Sequence, residues 1–133
     1  MLDYNSLDPK FKEQLASRPG GEKVSNCYLC GSCTAGCPVS SIRKEYNPRR
    51  FMRMILLGMK DEVLSSPEIW QCSQCHICVA HCPQDVRFAD IVRVLRQIAL
   101  EEGYVTEELV EKVNQLDVEL IRQRINKICE LVR

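Results

Sequence analysis

Eight of the nine cysteines fall into two runs of one spacing. The first, CYLCGSCTAGCP, holds Cys27, Cys30, Cys33 and Cys37 ahead of Pro38; the second, CSQCHICVAHCP, holds Cys72, Cys75, Cys78 and Cys82 ahead of Pro83. The second repeats the first at an offset of 45 residues. Each run reads C-x2-C-x2-C-x3-C-P, the spacing with which thiolates hold a cubane 4Fe–4S cluster. Three cysteines in one tight stretch reach three corners of a cubane, while the fourth corner points away and is best met from elsewhere. In two-cluster ferredoxins the fourth cysteine of each run serves the other cluster. The expected ligand sets are therefore Cys27, Cys30, Cys33 and Cys82 for a first cluster, and Cys72, Cys75, Cys78 and Cys37 for a second. Pro38 and Pro83, with no N–H and a fixed φ, turn the chain away after each box. No catalytic residue is expected, because iron fully ligated by cysteine offers no open position to a substrate. Electron transfer suits such a site, its potential set by burial, hydrogen bonds to sulfur and net charge.

Zinc is the main alternative, although tetrahedral zinc sites use two C-x2-C pairs joined by a longer loop. A disulfide framework is the other. The N-terminal MLDYNSLDPKFKEQ is charged and has no apolar h-region, so it does not read as a signal peptide. The most apolar run, FMRMILLGM, is broken by Arg53 and Gly58 and is too short for a membrane span. A reducing, cytoplasmic setting is expected, which disfavours disulfides. The 133 residues carry 18 basic and 18 acidic side chains. Two cysteine-ligated cubanes of charge about −2 each would make the loaded protein acidic. No dense basic run with interleaved aromatics points to nucleic acid.

Several neighbours of the cysteines invite a role. Gly31 and Gly36 allow close backbone approach, so that N–H groups reach cluster sulfurs. Ser32 and Thr34 offer hydroxyls to the sulfurs or to local turns. His76 and His81 flank ligands and read as surrounding groups, since the cysteines already complete both sets. Trp70 is expected to pack over the second cluster and Tyr28 beside the first. Cys129, the odd cysteine, lies in an apolar stripe near Ile125 and Ile128 and reads as a small buried hydrophobe.

The elements that must position the boxes read as helices throughout. Residues 1–22 form a leading helix and linker: Asp8 caps, Pro9 starts, Phe11 and Leu15 share a face, and RPGG ends it. Residues 23–104 form the two-box domain. Within it Asn47 and Pro48 open a helix with Phe51, Met52, Ile55, Leu56 and Met59 on one stripe and Arg49, Arg50, Arg53 and Lys60 opposite. Ser66, Pro67 and Glu68 start a turn leading through Ile69 and Trp70 into the second box. A strong amphipathic helix comes next over about 87–102, opened by Asp85 or a neighbour and stopped by Gly103 at C′. Residues 105–133 form a last helix capped by Thr106, with Glu107 and Glu108 in its first turn and an apolar stripe from Leu109 to Val132. No segment alternates like a strand between hairpin turns. The fold class is all-α: a helical ferredoxin-like domain with an internal pseudo-twofold, plus terminal helices.

The boxes, with NPRRFMRMILLGMKDEVLSSPEIWQCSQCHICVAHCPQDVRFADIVRVLRQIA around the second, resemble the C subunit of heterodisulfide reductase over roughly residues 25–103. The 34 residues between Cys37 and Cys72 leave room for helices, unlike the small β-rich bacterial ferredoxin. The resemblance implies two [4Fe-4S] clusters relaying electrons from a flavin-containing A subunit towards a catalytic B subunit. It implies an obligate or near-obligate hetero-oligomer, with flavin and disulfide chemistry on the partner chains. Similar boxes in the iron–sulfur subunits of glycerol-3-phosphate and succinate/fumarate dehydrogenases give a second reading. A non-redox metal-stabilised assembly module gives a third.

Overall fold

A computed structural model describes residues 3–133; residues 1 and 2 of the expected leading segment lie outside the described residues. Among the described residues there are eight α-helices, three short 3-10 turns and no strand. The helices are α1 (Phe11–Ala16), α2 (Ser32–Ala35), α3 (Pro38–Ile42), α4 (Pro48–Leu56), α5 (Lys60–Leu64), α6 (Ile77–His81), α7 (Phe88–Glu101) and α8 (Glu107–Val132). The all-helical class expected from the sequence is what the chain adopts.

The core is gathered around α7. Ile91, Leu95, Ile98 and Ala99 are fully buried along it, and α1, α5 and α6 pack against it. Burying each of the larger side chains contributes about 1.5–3 kcal/mol. Phe11 and Leu15 bring α1 into this core, while Phe51, Met52 and Ile55 bring α4. Arg49, Arg50 and Arg53 stay exposed, as the stripe on α4 requires.

Helix ends follow the sequence signals with two exceptions. Asn47 Oδ1 accepts from the Arg50 N–H at 3.0 Å and Pro48 opens α4. Gly103 closes α7: its N–H reaches Leu100 O at 3.2 Å and the Tyr104 N–H reaches Ala99 O at 2.8 Å, the paired bonds of a Schellman ending. Asp8 instead organises the turn before α1, accepting from the Lys10 N–H at 2.9 Å, so the helix begins at Phe11. Asp85 does not cap α7 either; its carboxylate pairs with Lys23 Nζ at 2.5 Å.

α8 departs furthest from expectation. Thr106 caps it as anticipated, its hydroxyl oxygen accepting from the Leu109 N–H at 3.3 Å. Yet α8 buries no residue. Val110 and Val113 are half-buried, whereas Leu116, Leu120, Ile121, Ile125 and Ile128 are exposed. Cys129 is exposed too, which corrects the expectation of a buried small hydrophobe. The stripe exists, but beyond Val113 it lies open to solvent among the described residues. Among the described residues no helix is long and apolar enough to cross a membrane.

Candidate metal centres

The repeat of the cysteines is also a repeat of the backbone. In the first box Leu29 and Gly31 take the left-handed conformation, at φ 61° and 88°; in the second Gln74 and His76 take it, at 54° and 60°. These are the same two places at the same offset, one on either side of the second cysteine. Two left-handed residues around a cysteine curl the chain tightly enough for three thiols to face one volume. The third cysteine of each box then enters a short helix, Cys33 in α2 and Cys78 in α6.

Beyond the fourth cysteine the halves separate. Cys37 leads straight into α3, with Pro38 at its first position. Cys82 and Pro83 lead into an irregular stretch in which Asp85 and Arg87 are left-handed, at φ 51° and 63°. The Val86 N–H in that stretch points back at Cys82 Sγ, 3.3 Å away.

α2 and α6 pack against each other, and Gly36 sets how closely. A Cβ at Gly36 would lie 2.4 Å from His81 Nδ1. The value of Gly36 is thus to admit the His81 ring rather than to approach a sulfur. This pairing brings the last cysteine of each box beside the first three of the other. One cavity, about 370 Å³ including its open mouth, is lined by Cys27, Cys30, Cys33 and Cys82, with Arg49, Met52 and Val86. A second, about 300 Å³, is lined by Cys37, Cys72, Cys75 and Cys78, with Val39, Tyr46 and His76. Cys78 and Phe88 line both and form the wall between them.

The donor set fits a cubane. Each cavity gathers cysteine sulfurs around a volume, as a cubane whose irons each take one outer thiolate requires. N–H groups also aim at sulfur, as cluster thiolates require: Leu29 N–H to Cys27 Sγ at 3.4 Å and Gln74 Nε2 to Cys72 Sγ at 3.4 Å. Burial pushes the Cys27 and Cys33 thiols up and takes Cys78 up to about 11. Such thiols stay protonated without a metal to displace the proton. Cys30 goes the other way, because the Ser32 hydroxyl beside its sulfur, at 3.4 Å, favours the thiolate. Cys30 and Cys75 are the exposed members of their sets.

Neighbouring residues divide similarly. Thr34 faces α4: its hydroxyl donates to Asn47 Oδ1 at 3.0 Å and accepts from the Arg49 N–H at 2.9 Å. Tyr28 and His81 are exposed and line neither cavity. Trp70 does not line the second cavity; its ring carries the Arg96 guanidinium, 5.3 Å from the ring centre. Three further residues matter more: Tyr46 and Arg96, to which the sequence assigns no part in the site, and Arg49, which it places on the charged face of α4. Tyr46 is almost fully buried in the wall of the second cavity. Arg49 Nε donates to Leu29 O at 2.7 Å. Arg96 donates through Nε to Ile69 O and through Nη2 to Cys72 O, both at 2.9 Å. The one available signal for Arg96 is its place on α7 one turn after Arg93, next to the buried Leu95.

The model of the 4Fe-4S dicluster domain family matches residues 12–87. The chain is similar to the C subunit of the H(2):CoB-CoM heterodisulfide,ferredoxin reductase of Methanothermobacter thermautotrophicus, 35% identical over 105 residues, covering 79% of this chain and 56% of that protein. It is 39% identical over 112 residues to the iron-sulfur C subunit of the CoB--CoM heterodisulfide reductase of Methanopyrus kandleri, covering 79% and 58%. It is 43% identical over 82 residues to the iron-sulfur C 2 subunit of the same reductase in Methanocaldococcus jannaschii, covering 62% and 43%. The chain spans about half the length of these relatives.

Proposed function

The chain belongs to the 4Fe-4S dicluster domain family, and from there we propose that it is an electron-relay subunit of a heterodisulfide reductase-like complex. It stands between a flavin- and iron–sulfur-containing A subunit and a catalytic B subunit, in a cytoplasmic assembly. A 4Fe–4S cluster, when bound, takes up and returns one electron. This chain's residues do the rest. Cys27, Cys30, Cys33 and Cys82 hold one cluster, and Cys37, Cys72, Cys75 and Cys78 hold the other. Met52, Val86, Phe88 and Tyr46 exclude water, and the Leu29 N–H and the Gln74 side-chain amide stabilise thiolate charge.

The observation that carries this reading is the shared wall. A cavity lined by the first box with Cys82 and one lined by the second box with Cys37 meet at Cys78 and Phe88, and each has one exposed cysteine, Cys30 or Cys75. That is the layout of a conduit with two ends. The names of the relatives supply the complex, and the uncovered apolar face of α8 suits a chain that works inside an assembly. Anaerobic isolation with partner subunits should give about eight iron and eight labile sulfide per chain, from two cubanes. Omitting the chain should stop electrons on the flavin-containing partner from reaching the disulfide, while that partner still accepts them from its own donor. Full turnover with a cluster-free chain would overturn the proposal.

A further inference from the structure

Each box is clamped by one arginine on a box carbonyl, and the two arginines live in different surroundings. Arg49, on Leu29 O, stands in the wall of the first cavity but is exposed. Water around an exposed guanidinium weakens its field at short range, and salt screens it beyond about 10 Å. Arg96 is half-buried, lies over Trp70 and bonds two carbonyls, one of them that of the ligand Cys72. No carboxylate among the described residues lies within ion-pair distance of it; exposed Asp117 of α8 acts on it only from further away. A half-buried cation whose partners are neutral carbonyls and a ring is costly unless negative charge compensates it nearby. The nearest candidate is the anionic thiolate set of the second cavity, beginning with Cys72.

We propose that Arg96 is a positioning residue that biases the pair, so that an electron added to the loaded protein resides in the second cavity rather than the first. The exchange it biases is balanced within the chain: one electron leaves the cluster held by Cys27, Cys30 and Cys33, one arrives at that held by Cys72, Cys75 and Cys78, and no bond or proton moves. Reduction adds one negative charge beside Arg96, and a half-desolvated cation favours that added charge more than a solvated one does. The relay thereby acquires a direction, from the Cys30 side to the Cys75 side. This inference rests on the two-cluster relay reading.

The test is a redox titration of the full, anaerobically loaded chain, followed by electron paramagnetic resonance. Cys30→Ser and Cys75→Ser mark the two signals, since serine ligation alters only the cluster it touches. The expected result is that the more easily reduced signal is the one changed by Cys75→Ser. Arg96→Gln should then lower the electron occupancy of that cluster by about tenfold relative to its neighbour, about 59 mV for a one-electron couple. Arg96→Lys should restore most of the occupancy, and Arg49→Gln should shift it far less. The proposal is overturned if the Cys30-marked cluster reduces first in the unsubstituted chain, a measurement needing no Arg96 variant. It is equally overturned if Arg96→Gln moves both clusters together or neither. Failure of the relay reading would look different, as an iron and sulfide content other than two cubanes.

Discussion

From Cys27 to Cys33 and from Cys72 to Cys78 the two boxes trace the same path, down to which residues are left-handed. They differ in what occupies the second such place: Gly31 in one, His76 in the other. A non-glycine side chain there costs about 1 kcal/mol or more, so the second box keeps its shape under a strain the first avoids. After the fourth cysteine the likeness ends, with α3 on one side and the irregular 83–87 stretch on the other. The repeat therefore extends as far as the thiols need positioning and no further. The chain beyond each box is shaped by its packing: Ser40 of α3 donates to Tyr46 O at 2.8 Å, while the 83–87 stretch delivers Val86 to Cys82 and Asp85 to Lys23.

The comparison is broken most severely at the fourth cysteines. Cys82→Ser should empty or convert the cluster bound by the first box, and Cys37→Ser that bound by the second, each read by iron content and paramagnetic resonance. Loss within the same box would show that the halves act alone. Next in size is Gly36→Ala, which drives a methyl into the His81 ring; overpacking of this kind costs about 1–3 kcal/mol. The double variant with His81→Ala should recover most of that loss in anaerobic thermal unfolding. Smaller, and opposite in sign, are the two left-handed positions. Gly31→Ala should destabilise by about 1–2 kcal/mol, whereas His76→Gly should stabilise by up to about 1 kcal/mol. Equal signs would mean that the boxes are not under the same backbone demand. The smallest effect belongs to the pair unique to the second half. The Lys23 ammonium, bonded to Asp85, holds that carboxyl below the usual carboxylate range. A depressed carboxyl stabilises above its unfolded pKa and loses that contribution as pH falls through its folded value. Lys23→Met should therefore lower the unfolding temperature slightly near neutrality, and the difference from the parent should vanish on acidification.

Much of this was legible because it is local. The caps at Asn47 and Thr106, the stop at Gly103 and the periodicity of α7 all depend on residues within a turn or two of each other. The cysteine spacing is equally local, and both boxes lie within the span that the family model matches. What escaped depends on contacts across the chain. Tyr46 reaches the second cavity, Arg96 reaches the Cys72 carbonyl, and His81 reaches Gly36, each by tertiary packing that no spacing encodes. Leu29, Gln74 and His76 were opaque for another reason: non-glycine residues carry little propensity for the left-handed region, so only the surrounding frame puts them there. Cys129 was misplaced because an amphipathic stripe states that a helix needs a cover, without stating that the cover belongs to the same chain.

The mixed lining of the cavities bears on the making of the protein. During synthesis Cys27, Cys30 and Cys33 emerge first, yet the cysteine lining of their cavity is complete only with Cys82, the last of the eight to leave the ribosome. The second cavity completes four residues sooner, at Cys78, using the much older Cys37. The box that is translated first thus has its cysteine lining completed last, and neither cavity has all its cysteines before Cys78 is made. A truncated product released before Cys78 carries thiols but no complete cysteine lining for either cavity.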